Sequence, residues 1–139
     1  MAQAKVVQSI KANADDVWQI LGNFKSIQPG PGIDAVVYEG EGVGMTRTIS
    51  TPNGDVVERL DVYEPSARQF AYAITNDGGP LPFADYSAVV AVNDNDDGTT
   101  TVEWTGTFEP RGVDEETAVK FATGIYTRAI DGARTVLEG

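Results

Sequence analysis

The stretch Asp114-Glu115-Glu116-Thr117-Ala118-Val119-Lys120-Phe121-Ala122-Thr123-Gly124-Ile125-Tyr126-Thr127-Arg128-Ala129-Ile130-Asp131-Gly132-Ala133-Arg134-Thr135-Val136-Leu137 decides the fold. Asp114 is a capping residue, two acids follow where the helix dipole is positive, and apolar residues recur through the segment. The pattern predicts one helix of about 23 residues ending near Leu137. Its apolar positions include Ala118, Phe121, Ala122, Ile125, Ala129, Ile130, Ala133, Val136 and Leu137, so it must bury a stripe against something. That stripe is rich in small residues, Ala118, Ala122, Gly124, Ala129, Gly132 and Ala133. Small residues either let a helix sit tightly on its partner or leave space beside it.

Upstream the period changes. Ile33 to Glu39, Met45 to Thr51, Asp55 to Tyr63, Arg68 to Thr75, Tyr86 to Val92 and Thr99 to Phe108 all read as strands. Turn-forming residues fill every gap, for example Pro52-Asn53-Gly54 and Asn93-Asp94-Asn95-Asp96-Asp97-Gly98. Short connections imply antiparallel pairing. Before them, Ala4 to Ala12 reads as a further strand. Asn13 then caps a short helix whose apolar face is Val17, Ile20, Leu21 and Phe24. Gly22 and Asn23 end it, a second short helix covers Phe24 to Ile27, and Gln28-Pro29-Gly30-Pro31-Gly32 forces a loop. The class is therefore α+β: a seven-stranded antiparallel sheet, two short helices after strand 1, and a long C-terminal helix on one sheet face. A strongly curved sheet cannot follow a straight helix everywhere, and a cavity results.

Composition narrows the function. The 139 residues suit one domain, and 41% are hydrophobic, enough for a full core. With 21 acidic and 10 basic residues the formal net charge is −11, which argues against nucleic acid and against anionic lipid as partners. The chain has no cysteine and no histidine, which excludes disulfides, thiolate nucleophiles, Cys or His zinc sites and His-based triads. No metal or cofactor is expected. The acidic run Asn93 to Gly98 lies between strands, lacks the spacing and flanking helices of a calcium loop, and reads as a solvated turn. The first residues lack a charged leader with an apolar run, and no stretch approaches the ~18 apolar residues of a membrane helix, so a cytoplasmic protein is expected, monomer or homodimer.

One strand carries an anomaly. Alternation places Val56, Glu58, Leu60 and Val62 on one face, the more apolar one, and so turns Glu58 inward. Two readings stand: a carboxylate in an apolar cavity, or one near a strand end in a surface ion pair with Arg47 or Arg59. Arg47 shares a face with Met45 and Ile49 on the preceding strand, and a hairpin through Pro52-Asn53-Gly54 lets it approach Glu58, as a buried pair or as a rim salt bridge.

At this point the residues resemble the START-like (SRPBCC) superfamily: Asp15-Asp16-Val17-Trp18 opening a short helix, Val43-Gly44-Met45-Thr46-Arg47, Glu58-Arg59-Leu60-Asp61, Gly78-Gly79-Pro80-Leu81-Pro82 leading to Tyr86, and Trp104 to Pro110 before the last helix. The bacterial polyketide cyclase/dehydrase proteins are the nearest group, and the plant abscisic-acid receptors a more distant one. The resemblance implies a helix-grip fold, with the curved sheet wrapped around the terminal helix, and a hydrophobic small molecule as partner. It also implies a ligand-facing Glu58, a cavity-lining Tyr86, and two entrance loops, Pro52-Asn53-Gly54 and Gly78 to Phe83. Where the receptors carry a charged latch, this chain has Pro80, Leu81, Pro82 and Phe83. The expected lining is Phe24 and Ile27 from the early helices, Arg47, Ile49, Glu58, Leu60, Tyr72, Ile74 and Trp104 from the sheet, Leu81, Phe83 and Tyr86 at the second loop, and Phe121 and Ile125, with Ala129, from the last helix. Trp104 depends on register, since the opposite face of its strand would bring Glu103 inward instead. Three functions follow. The first is a binding protein for a polyketide-, sterol- or phenolic-like compound. The second is a cyclase, dehydratase or isomerase with Glu58 as general base and Tyr86 or Tyr72 as acid or oxyanion donor. The third is an interaction module whose own side chains fill the cavity.

Overall fold

The computed structural model describes residues 1–138. Its elements are β1 (Ala2–Ile10), α1 (Ala14–Leu21), β2 (Ala35–Glu39), β3 (Thr46–Thr51), β4 (Gly54–Glu64), β5 (Gln69–Ile74), β6 (Phe83–Asp94), β7 (Thr100–Pro110) and α2 (Glu115–Glu138). All seven strands form one antiparallel sheet in the order β1-β7-β6-β5-β4-β3-β2. The strands from β2 to β7 follow one another as a meander, and β1 closes the far edge against β7.

Local chemistry sets the helix starts. The Asn13 side chain accepts from the Asp16 amide at 2.9 Å, and that of Asp114 accepts from the Thr117 amide at 2.8 Å, each satisfying an amide that the first turn leaves open. One helix, not two, separates β1 from β2. The expected second helix is a single turn in which the Ser26 amide donates to the Asn23 carbonyl. The Phe24 carbonyl within it is taken by a side chain of the sheet, as described below.

The sheet bends at two irregularities. Register shifts between Leu60 and Val62 in β4, so Val56, Glu58 and Leu60 are buried while Val62 is 41% exposed instead of inward. Register shifts again between Ala84 and Ser87 in β6, where Asp85 takes a positive φ of 52°. This bulge lets β6 begin at Phe83, three residues before the expected start. β7 alternates regularly, with Val102, Trp104 and Phe108 buried on the concave face. Trp104 is therefore inward and Glu103 is on the other face.

α2 rests chiefly on β1 and also packs on α1 and β7. Its buried stripe is Ala118, Ala122, Tyr126, Ile130 and Ala133. Two alanines bring the N-terminal half close to the sheet, and Gly106 of β7 completes the fit. A Cβ at Gly106 would lie 2.0 Å from the Tyr126 hydroxyl, so the tyrosine tip occupies space that only glycine leaves. The core continues through Val6, Ile10, Val17, Phe70, Val90 and Phe108.

Candidate functional site

Because α2 sits over β1 and β7, the strands β3 to β5 curve away from it. Between them lies a cavity of about 530 Å³, whose walls include residues of β3, β4, β5, β6 and β7, the loop before β6, the segment 20–33 and α2. Most of the lining is aliphatic or aromatic. The polar exceptions are Asn23, Ser26 and Thr51, and a cluster formed by Arg47, Glu58 and the tyrosines.

Arg47 and Glu58 stand directly opposite each other in the β3–β4 pair. The Arg47 Nε donates to the Glu58 Oε1 at 2.7 Å, with the two side chains only 8% and 10% exposed. Arg47 also donates from Nη1 to the Phe24 carbonyl at 2.9 Å, and its guanidinium lies 4.0 Å over the Phe24 ring. The pair is thus buried, and the rim salt bridge is excluded. It does two jobs: it neutralises the inward carboxylate, and it ties the turn after α1 to the sheet.

Beside it run three phenols. The Tyr72 and Tyr86 hydroxyls are 3.1 Å apart, the Tyr86 and Tyr126 hydroxyls form a short hydrogen bond, and the Trp104 indole Nε1 donates to the Tyr72 oxygen at 3.3 Å. The Trp104 and Tyr126 rings stack with centroids 4.9 Å apart. Burial raises the pKa of all three phenols, that of Tyr126 to about 12, and the negative charge of Glu58 adds to the rise at Tyr72 and Tyr126. They stay protonated across the physiological range and act as neutral hydrogen-bonding groups.

The two loops expected at the entrance touch each other. A Cβ on Gly79, whose φ is +55°, would lie 2.6 Å from the Asp55 carbonyl oxygen. The Asn76 side chain joins them, accepting from the Val57 and Gly78 amides and donating to the Asp55 carbonyl at 2.8 Å. Arg111 braces the second loop by donating to the carbonyls of Asp77, Gly79 and Leu81.

Of the residues singled out in the sequence, Ile27, Arg47, Ile49, Glu58, Tyr72, Ile74, Leu81, Phe83, Tyr86, Trp104, Ile125 and Ala129 line this one cavity. Three do not. Phe24 and Leu60 face a separate groove of about 390 Å³ near α1, with Trp18, Met45 and Tyr63. Phe121 is 44% exposed and meets the Phe83 ring edge-on, because the tight Ala118–Ala122 contact turns its side of the helix outward. Tyr126 was absent from the expected site. It sits four residues after Ala122 and four before Ile130, a spacing that does mark it as a core position. The acidic turn 93–98 satisfies itself, with Asp94 and Asp97 accepting from the amides of Asp96 and Thr99. Among the described residues no acidic group is arranged to hold a metal, and no helix is long and apolar enough to cross a membrane.

Comparison with known proteins extends this. The model of the family described as polyketide cyclase/dehydrase and lipid transport matches residues 1–138. The fold is shared with the solved structure of the protein XoxI from Bacillus cereus, at 29% identity and a TM-score of 0.84, covering 99% of this chain and 96% of that one. An uncharacterised protein from Bacillus thuringiensis is similar at 28% identity and a TM-score of 0.84, with 99% and 100% covered. A protein from Thermobifida fusca, solved in solution, is 30% identical with a TM-score of 0.71, covering 90% and 83%. No curated protein matches.

Two predictions follow from the polar cluster. Replacing Arg47 by Met strands a buried carboxylate and should cost about 3 kcal/mol in urea unfolding, at the low end for a broken buried pair because a cavity adjoins it. The double variant Arg47→Met/Glu58→Leu should recover most of that loss, and a loss equal to the sum of those of Arg47→Met and Glu58→Leu would show that the two groups do not interact. The tyrosines give a pH window. Their folded pKa values lie above the ordinary 10.0, so their contribution is complete below about pH 10 and is lost as pH rises above it, that of Tyr126 through about 12. The urea midpoint should hold from pH 8 to 9.5 and fall above 10, more steeply than in Tyr126→Phe.

Proposed function

We propose that this chain, which belongs to the polyketide cyclase/dehydrase and lipid transport family, binds a hydrophobic or aromatic small molecule, polyketide-, sterol- or phenolic-like, between its sheet and its terminal helix. The observation that carries this is the cavity of about 530 Å³ with mostly aliphatic and aromatic walls and a few polar groups, Arg47, Glu58 and the tyrosines among them. Water finds few partners on such walls, whereas a ligand of matching size buries apolar surface there at about 25 cal/mol per Å². The volume lies within the range of ordinary ligand pockets.

The second reading, turnover of such a compound, draws support from Glu58 and the Tyr72 and Tyr86 hydroxyls bordering the same space. In it Glu58 is the general base and Tyr86 the acid or oxyanion donor. Binding is the stronger reading because Arg47 and Phe24 already hold the carboxylate and its partner in a structural network.

Nile red, a neutral hydrophobic dye, tests binding. It should be taken up with one-to-one stoichiometry and enhanced emission. Ala129→Trp, which places an indole in the space, should abolish uptake with little change in melting temperature. Uptake that survives the substitution would locate the dye elsewhere and remove the cavity reading. For turnover, Glu58→Gln should end activity while dye uptake persists.

A further inference from the structure

The hydrogens of the aromatic cluster do not balance. Four polar hydrogens are present, one each on the Trp104 indole and on the Tyr72, Tyr86 and Tyr126 hydroxyls, since a phenol carries a single donor. Three hydrogen bonds join these groups: Trp104 to Tyr72, Tyr72 with Tyr86, and Tyr86 with Tyr126. One hydroxyl hydrogen is left over.

Its position is decided by burial. Tyr126 is fully buried, lines no part of the cavity, and has no acceptor other than Tyr86 among the described residues. A spare hydrogen there would be buried without a partner. Tyr126 therefore donates to Tyr86, and the spare hydrogen falls on Tyr86 or Tyr72. Both of these line the cavity. Whichever carries it, the hydrogen sits on a residue of the cavity wall.

Charge supplies the second half. Arg47 and Glu58 are the only charged side chains among those lining the cavity, and they neutralise each other. Arg47 Nη2 takes no acceptor among the described residues, but the charge it carries is already shared with Glu58 at 2.7 Å, so an anionic ligand gains only part of a counter-ion there. The Glu58 Oε1 is occupied by Arg47, while its Oε2 takes no donor among the described residues. Glu58 pairs with Ile74 and Leu60 with Tyr72 across β4 and β5, so Glu58 and Tyr72 are diagonal neighbours on one face.

We infer that the ligand is electrically neutral and brings an oxygen acceptor, a carbonyl or a hydroxyl on a hydrophobic ring system, to the Tyr72–Tyr86 hydroxyls, and that ionised carboxylates such as fatty acids are rejected. This rests on the binding reading above. A hydroxyl beside the acceptor has a partner too, in the open oxygen of Glu58.

A matched trio of probes tests it by calorimetric titration: 2-acetylnaphthalene, neutral with an acceptor; 2-ethylnaphthalene, the same shape without one; and 2-naphthoate, ionised. The ketone should bind about fivefold or more tighter than the hydrocarbon, the worth of one hydrogen bond, and 2-naphthoate should bind weakest. In Tyr72→Phe/Tyr86→Phe/Trp104→Phe, which removes both hydroxyl donors and the indole N–H that loss of the Tyr72 oxygen would release, the preference for the ketone should vanish while 2-ethylnaphthalene still binds, which also reports an intact cavity. Should that variant not fold, the ranking in the unaltered protein decides. Equal affinity for ketone and hydrocarbon, or tightest binding of 2-naphthoate, overturns the inference and leaves the binding reading standing. Binding of none of the three removes the binding reading itself.

Discussion

A straight helix cannot stay in contact with a bent sheet across its whole width. In this chain α2 is seated on β1 and β7, where Ala118, Ala122 and Gly106 allow the closest approach. Bulges in β4 and β6 sharpen the bend on the opposite side. The space between is a consequence of that mismatch, and every functional feature is arranged around it. Were the alanines of α2 larger, the helix would stand off from β7, and the tyrosine tip under Gly106 would lose its place.

The interior polar groups are tolerated because they satisfy one another. Arg47 gives Glu58 a counter-charge and then spends a further donor on the Phe24 carbonyl, so the turn that follows α1 is fixed by the same residue that neutralises the cavity. Tyr72, Tyr86 and Tyr126 share hydrogens along a line anchored by the Trp104 indole. No fully buried side-chain nitrogen or oxygen among the described residues lacks a partner. What remains open includes the Arg47 Nη2, the second Glu58 oxygen and one hydroxyl hydrogen on Tyr72 or Tyr86, all on residues that line the cavity. Polar groups within apolar surroundings are the arrangement expected of a ligand pocket, where apolar contact supplies affinity and a few directed bonds choose the ligand.

Much of this was legible in the residues. Asn13 and Asp114 announced their helices, alternation in β4 turned Glu58 inward, and the hairpin at Pro52-Asn53-Gly54 brought Arg47 opposite it. What escaped depends on events that a local period cannot carry. Val62 left the core because a bulge after Leu60 breaks the alternation. The turn at Asn23–Ser26 is set by a guanidinium from a distant strand. Phe121 shares a helical face with Ile125 and Ala129 and so reads as a wall of the cavity, yet the buried stripe centres on Ala118 and Ala122, and Phe121 stands 44% exposed at its edge. Tyr126 shows the converse: its hydroxyl reads as polar, but its spacing put it at the centre of the buried stripe, where Gly106 makes room for it.

The most direct measurement is a crystal structure under xenon pressure, since xenon enters apolar cavities and is located by its scattering. The account predicts ordered xenon between Ala129 of α2 and the aliphatic wall of Ile49 and Ile74, with Arg47 and Glu58 still paired at the margin. Side chains closed over Ala129 with no xenon behind them, or Glu58 turned to the outer surface, would contradict it.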